Sequence, residues 1–459
     1  MEVVILAAGK GTRMYSSMPK VLHEIGARPM LSHVLDTAYG LQPSAIHVVV
    51  GYGSDQVRSY YADASNHPIN WVQQTEQLGT GHAVQQAINA IDTSTDNNQV
   101  LVLFGDVPLI TVASLQALLE KANADSVSLL TVETSEPSGL GRIIRDESGA
   151  VTSIVEHRDA TAEQLEINEV NTGLMSLPAA KLSRWLNGLG NHNDQKEYYL
   201  TDIIEIAAGE GLLINAVLAT DEQEVMGVNN KLQLALLERH YQEREVETLL
   251  MQGVTMRDPH RVDIRGTLSC GQDVEIDCNV IFEGNVVLGN NVSIGANCVI
   301  SQAHIGDGSQ ILPGTQIDEA EIGHNNVIGP MARIRPGTVL ESGVKVGNFV
   351  EIKNSVLGPG SKANHLAYIG DAQIGSGCNV GAGTIFCNYD GANKHKTTLG
   401  NNVFIGSNST LVAPVTLNDD VFVAAGSTIN SEVPGNNLAV ARSRQRNIEG
   451  WKRPQKKAD

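Results

Sequence analysis

Basic residues are in the minority in this chain. It has 32 Lys and Arg against 51 Asp and Glu in 459 residues, a formal charge of −19. So acidic a chain is a poor partner for nucleic acid, whose phosphates call for concentrated cations. No run approaches the ~18 consecutive apolar residues of a membrane helix, so the reading is of a soluble protein. Nothing resembles an export signal either: Glu2 stands where a basic n-region would be, and the apolar run Val3–Ala8 is too short. The five cysteines are odd in number and include no CxxC pair, which excludes a disulfide framework and a zinc site. Reduced thiols in a cytoplasm are the expectation.

What is present is unevenly distributed. Of the 45 glycines, 18 fall in residues 1–252 and 27 in the shorter stretch 253–459, which also holds every cysteine. Two compositions predict two architectures. In the first half, short apolar runs at Val3–Ala8, Ala45–Val50, Val100–Phe104 and Val127–Val132 alternate with helix-like segments around Met30–Tyr39 and Gly81–Ile91. That alternation predicts a Rossmann-like α/β domain on a mostly parallel sheet over 1–229, with ligands beyond the carboxyl ends of the strands. Residues 230–252 carry leucines at helical spacing among charged residues, from Leu232 to Leu250, and predict a long helical linker.

From about 270 onward aliphatics recur at steps of six residues with an occasional five, as at Ile294, Ile300, Ile305, Ile311, Ile317, Ile322, Ile328 and Ile334, often followed by Gly. Such a period predicts a parallel β-helix of hexapeptide repeats over 253–459, with about 17–18 residues per coil and roughly ten coils. Glycine and asparagine would turn its corners. A slim prism also has little room for rings, in keeping with an aromatic content of 4%. Cys387–Lys396 breaks the period and must bulge as a loop, the usual place for a solenoid's binding face.

The most informative stretch is Leu6-Ala7-Ala8-Gly9-Lys10-Gly11-Thr12-Arg13-Met14, followed by Pro19-Lys20. A strand ending in glycines lets backbone N–H groups approach phosphate, and Arg13 and Lys20 add positive charge. Met14 occupies the place of a third Rossmann glycine, and no GxxxxGK[ST] occurs. The longer string instead resembles the opening motif of sugar-1-phosphate nucleotidyltransferases. Phe104-Gly105-Asp106 ends a strand with an acid, which can hold Mg²⁺ or simply cap the next helix. Gln74 precedes the glycine turn Gly79-Thr80-Gly81, where an amide and a backbone group can read a uracil edge.

In the second half His365 stands where the period skips. Arg335, Lys353 and Asp371 fall one coil apart and so on one edge of the prism, a seat for a sugar phosphate. A histidine of near-neutral pKa could deprotonate an amine attacking a thioester, and a backbone N–H of Gly381-Ala382-Gly383 could hold the oxyanion. Cys387 reads as an inert small residue. A basic tail closes the chain, with Arg442, Arg444, Arg446, Lys452, Arg453, Lys456 and Lys457.

The order of these motifs, with the helical linker and the repeat, resembles the family of bacterial bifunctional N-acetylglucosamine-1-phosphate uridyltransferase/glucosamine-1-phosphate N-acetyltransferases over essentially the whole chain. The resemblance implies that Leu6, Ala7, Ala8, Gly9, Lys20, Gln74, Gly79 and Thr80, with Phe104 and Gly105, bind the uridine nucleotide. It gives Gly141, Glu156 and Asn171 to the sugar, and Asp106 with Asn229 to Mg²⁺. Arg335, Lys353, Tyr368 and Asn379 would bind glucosamine-1-phosphate with His365 as base. Ala382, Asn388, Tyr389, Ser407, Ala425 and Arg442 would line the acetyl-CoA site. A left-handed solenoid and a homotrimer with acetyl sites at subunit contacts are further implications, as is a role in peptidoglycan and lipopolysaccharide precursor supply. Phe104, Asn364 and Ala367 depart from the pattern, which has Tyr, Gly and Thr there. The alternative is another pyrophosphorylase, for example one making ADP-glucose or GDP-mannose, whose β-helix only assembles subunits.

Overall fold

The computed structural model describes residues 1–62, 68–95 and 97–456; Lys457 of the basic tail lies outside them. The chain divides into two compact units, Met1–Tyr241 and Gln242–Asp459. The division falls inside the helix Lys231–Met251, not at either end of it. No helix among the described residues is long and apolar enough to cross a membrane.

In the first unit the strand Glu2–Ala7 lies between Ala45–Val50 and Gln99–Phe104, parallel to both. Its residues are buried throughout because both faces of the sheet are covered. Val4 and Leu6 enter one core cluster, and Val3, Ile5 and Ala7 enter the other. The strand Asn70–Gln73 extends the parallel set beyond Ala45–Val50. On the other side the sheet is mixed. Glu169–Pro178 runs antiparallel to both Gln99–Phe104 and Ser126–Glu133, and Leu213–Leu218 then returns parallel to the latter. Arg142–Arg145 and Val151–Val155 form a hairpin attached to Glu169–Pro178 at Val170. These antiparallel strands carry no long apolar run and the sequence pattern predicts none of them; it also leaves out two parallel strands, Asn70–Gln73 and Leu213–Leu218.

The second unit is a parallel β-helix. Its interior is one ladder of aliphatics: Ile276, Ile294, Ile311, Ile328, Val346, Ala363, Val380, Ile405 and Val423 pair coil to coil. All are buried in a single core cluster. The step is 17 or 18 residues except between Asn379 and Phe404, where 404 − 379 gives 25. The surplus is the 387–396 loop, which leaves the coil and closes as a small hairpin with Tyr389 bridged to Lys394. Corners are turned by Asn and Asp as well as Gly: Asn279, Asn291, Asn325, Asn354, Asp371 and Asn402 all have φ between 45° and 58°. At the first coils, Val246 and Leu249 of the helix join the same apolar core. Gln242, 1% exposed, donates from Nε2 to the Ile264 carbonyl at 2.8 Å and accepts from the Ile264 N–H at 2.7 Å. A side-chain amide thus takes the place of a further strand beside the edge strand Val262–Cys270.

Candidate active sites

Residues far apart in the sequence converge in the first unit because parallel strands end on one side of the sheet. A cavity of about 230 Å³ is lined by Leu6, Ala7, Ala8, Gly9, Lys20, Gln74, Gly79, Thr80, Phe104 and Asp106. Val21, Gln77, Ala83 and Glu197 also line it, and no sequence motif singles them out. After the first strand the loop turns through Gly11 at φ 59°, where a Cβ would lie 2.8 Å from the Lys20 Cβ. Only glycine lets the loop pass so close to that lysine's stem.

Lys20 forms an ion pair with Asp106 and donates to Asn229 Oδ1 at 3.0 Å. Arg13 donates to the same oxygen at 2.9 Å. Asn229 is presented by its own backbone, with its N–H on Gln233 Oε1 and the preceding Val228 N–H on the Asp106 carbonyl. The carboxylate of Asp106 and the amide oxygen of Asn229 therefore already converge on a cation, the lysine ammonium. A divalent ion that takes one carboxylate, one amide oxygen and phosphate or water oxygens suits this donor set. No group of three or more His, Cys, Asp or Glu side chains suited to a metal exists among the described residues.

Gln74 is 3% exposed, and its Nε2 donates to the Gly79 carbonyl at 3.2 Å and to His82 Nδ1 at 3.0 Å. Both amide hydrogens are engaged, so Oε1 is the atom left to accept from a ligand N–H. Gly79 has φ 110°, and a Cβ there would lie 2.6 Å from the Tyr198 carbonyl oxygen.

Gly141, Glu156 and Asn171 form a second cluster in this unit. The Asn171 N–H donates to the Gly141 carbonyl at 2.8 Å, and a Cβ on Gly141 would lie 3.5 Å from Glu156 Oε2. Thr201 Oγ1 donates to Glu156 Oε1 at 3.0 Å, a partner the motifs do not reveal. Burial raises the Glu156 pKa, Asp159 adds to the rise, and the Thr201 bond opposes it. Asp202 is pushed up to about 6 by burial and by the charges of Glu156, Glu205 and Asp159. The Phe104 ring packs closely on Gly173, whose added Cβ would lie 2.6 Å from its Cε2.

In the second unit the expected column of cations is present but not bare. Arg335 pairs with Glu351 at 2.7 Å, and Lys353 lies 3.9 Å from Asp371 Oδ2. Asp371 also accepts from Asn354 Nδ2 at 2.6 Å and from Asn388 Nδ2 at 2.5 Å. Its carboxyl pKa is lowered: burial works against this, and the Asn354 and Asn388 bonds with the Lys353 and Lys394 charges prevail. The Tyr368 hydroxyl is close to Gly370 and Asn388, the atoms a Cβ on Gly370 would meet. Lys394 joins this group through Lys353, whose ammonium lowers its pKa. Period arithmetic misses Lys394 because it sits in the loop outside the repeat. Asn388, expected at the acetyl-CoA site, reaches this group through its bond to Asp371. Tyr389 is 61% exposed and donates to the Gly391 carbonyl at 2.6 Å, and Asp390 pairs with His395 at 2.6 Å to close the loop.

His365 ends the strand Lys362–His365 on the other side of a corner made by Leu366. Its one hydrogen-bond partner among the described residues is Asn348, at 3.4 Å from Nδ1. Asn379 follows one coil later, in register with Lys362. The remaining expected acetyl-CoA residues continue the corner of His365 coil by coil: the register places Ala382 one coil after His365, then Ser407, then Ala425. Asn408 N–H donates to the Ala382 carbonyl, Gly426 N–H to the Ser407 carbonyl, and Arg442 Nη1 to the Ala425 carbonyl at 2.8 Å. Gly381 and Gly383 spend their N–H groups on the Ile405 and Leu366 carbonyls. Of the three candidate oxyanion donors, only Ala382 N–H is without a carbonyl partner among the described residues.

Comparison with known proteins bears on both units. Residues 3–166 match the family described as MobA-like NTP transferase domain, 264–348 the GMPPB C-terminal domain, and 396–431 the bacterial transferase hexapeptide with six repeats. A protein of Pseudomonas putida named "Bifunctional protein GlmU" is 54% identical over 456 residues, 99% of each chain. Proteins of the same name from Marinobacter nauticus and Alkalilimnicola ehrlichii are 53% and 51% identical, covering 99% and 100% of this chain and 99% and 98% of their own.

Proposed function

The chain belongs to the family of the bifunctional protein GlmU, and on that premise we propose how its two sites work. It is a bifunctional transferase. One activity moves acetyl from acetyl-CoA to glucosamine-1-phosphate; the other moves uridyl from UTP to N-acetylglucosamine-1-phosphate and releases pyrophosphate. We assign uridyl transfer to residues 1–229 and acetyl transfer to 253–459, with 230–252 as the linker and the cytoplasm as the compartment.

In uridyl transfer a sugar phosphate oxygen attacks the α-phosphorus of UTP in line. The nucleophile is already an anion, so the protein's task is positioning and charge neutralisation. Arg13, Lys20 and the N–H groups after Ala8 meet the phosphates. Gln74 Oε1 accepts from the uracil N3–H, which explains why its amide hydrogens are spent internally. Gly141, Glu156 and Asn171 receive the sugar. Asp106 and Asn229 would hold Mg²⁺, which when bound supplies positive charge to phosphate oxygens.

In acetyl transfer His365 accepts a proton as the sugar amine attacks the thioester carbonyl. The C–N bond forms, the C–S bond breaks, and that proton leaves with the coenzyme A sulfur as thiol. The Ala382 N–H faces the oxyanion of the tetrahedral intermediate. Arg335, Lys353 and Lys394 meet the sugar phosphate, with Tyr368 and Asn379 beside it. Asn388, Tyr389, Ser407, Ala425 and Arg442, with Ala382, hold acetyl-CoA.

We further propose a homotrimer. Met331, Phe349 and Leu366 occupy successive turns of one corner, each more than half exposed and each at a φ of 48–57°. Bulky residues held in that strained region and left in water call for a covering surface. Within one chain His365 shares no hydrogen bond with the Lys353–Asp371–Tyr368 group. A second copy over this corner supplies what a single chain lacks.

One observation carries the reading: two chemically distinct clusters, one in each unit, each formed from the residues its reaction needs. The test supplies glucosamine-1-phosphate, acetyl-CoA, UTP and Mg²⁺ and follows free thiol and pyrophosphate separately. Thiol should appear first, and a chelator should stop pyrophosphate but not thiol. Pyrophosphate released from glucosamine-1-phosphate at an undiminished rate without acetyl-CoA would overturn it.

A further inference from the structure

Arg142 is 1% exposed, among the largest fully buried side chains of the molecule. Its guanidinium meets carbonyls rather than a carboxylate: Nη1 donates to the Leu140 oxygen and Nη2 to that of Leu165 at 3.4 Å. Nε is buried with no partner. Taking a cation out of water costs several kcal/mol, and two backbone acceptors with one donor unmet are weak compensation. Stability alone gives no reason to keep it; a long apolar side chain would fill the space better.

Position supplies a reason. Arg142 begins the strand Arg142–Arg145 immediately after Gly141, and alternation along the strand turns the two residues to opposite sides. Gly141 faces the Glu156 carboxylate and gives its carbonyl to Asn171. The turn before it is otherwise lightly held. Gly139 has φ 83° with nothing within 4 Å of an added Cβ, Leu140 is 40% exposed, and its N–H bonds only to Pro137. From beneath, the guanidinium ties the Leu140 carbonyl to the end of the helix Ala162–Leu165.

We propose that Arg142 is a positioning residue for the sugar substrate: it fixes the Leu140–Gly141 peptide against which the sugar is registered beside Glu156 and Asn171. This rests on the assignment of those residues to the sugar. The test uses the full chain with Arg142→Met and Arg142→Lys and measures KM for N-acetylglucosamine-1-phosphate and for UTP separately. Arg142→Met should raise the sugar-phosphate KM about tenfold or more, since displacement of a positioning group by ~1 Å can cost up to 10²-fold. The UTP KM should stay within about twofold, and acetyl transfer by the same chain should be unchanged. Arg142→Lys keeps one donor toward the Leu140 carbonyl and should recover most of the loss.

Equal rises in both KM values, or a lower kcat matching the folded fraction with both KM values intact, would sink the idea. So would failure of both variants to fold the first unit while acetyl transfer persists. Glu156→Gln, run in parallel, separates the premise from the inference. An unchanged sugar KM there removes the assignment itself, whereas a raised one beside a normal Arg142→Met removes only the role of Arg142.

Discussion

The two units assemble their sites by opposite routes. In the first, Lys20, Asp106 and Asn229 are up to 209 residues apart and meet because separate strands and loops end on one side of the sheet. In the second, Lys353 repeats the position of Arg335, and Asp371, expected on the same column, lies one residue beyond it because Lys353 pairs with Gly370; Lys353 and Asp371 still meet, because the coils are stacked. A sheet edge tolerates change in any one connection, since each loop brings its own residue. A stack does not: a residue is placed by the coil beneath it, so a local defect travels to the next coil. The first unit should therefore lose chemistry when a functional group is removed, and the second also when packing far from the functional group is disturbed.

The sharpest break comes from His365→Ala, expected to slow acetyl transfer by ~10²–10⁴-fold, the range for a positioned general base. Pyrophosphate release from supplied N-acetylglucosamine-1-phosphate should be untouched, and loss of both would end the separation of the sites. Asp106→Ala is the mirror image, lowering uridyl transfer by ~10²–10³-fold with thiol release from acetyl-CoA unchanged.

Gly347→Ala tests transmission along the stack. The added Cβ would lie 1.8 Å from the Asn364 carbonyl oxygen in the next coil, beside His365. It should destabilise the second unit by ~2–3 kcal/mol in urea and depress acetyl transfer without removing any functional group. Normal acetyl transfer would show that a coil absorbs the clash locally and would weaken the contrast.

The smallest effect concerns pH in the first unit. With the Asp202 carboxyl raised to about 6 in the folded state, the native chain holds that proton more tightly than the unfolded chain, where an aspartate titrates near ~3.9. Stability from this group is greatest below ~4, falls as pH rises through 6 and is level above. Asp202→Asn should remove that slope and stabilise the unit at pH 7.5 by about 1 kcal/mol, a figure discounted for partial exposure. Trp71 and Trp185, both in this unit, report its unfolding by fluorescence. Equal stabilisation at pH 4 and 7.5 would refute the cause.

Legibility in the sequence follows the same division. A six-residue period is a direct image of the coil, so the β-helix and its aliphatic ladder can be read residue by residue. The strand–glycine–cation string of residues 6–20 is equally plain. Glu169–Pro178 is not, because an antiparallel strand that bends at Asn171 and mixes Asn, Thr and Gly with apolar residues has no clean period. Register arithmetic places Arg335 and Lys353 correctly and Asp371 one residue off their column, but is blind to Glu351, the partner of Arg335, which depends on side-chain reach. Lys394 escapes because the loop that carries it has no repeat, and Thr201 because nothing local links it to Glu156. The spent N–H groups of Gly381 and Gly383 are likewise visible only once the neighbouring coil is in place.

Gln242 has a consequence for the size of the molecule. A column of like coils contains no rule for where to stop, since every exposed strand edge asks for another backbone just as the last one did. By answering the Ile264 N–H and carbonyl with a side chain, the glutamine behaves as a chain terminator does in a polymerisation. It satisfies the Ile264 position of that end without presenting a strand edge of its own. The repeat sets the pitch of the column; a residue outside the repeat closes a position of its first long strand.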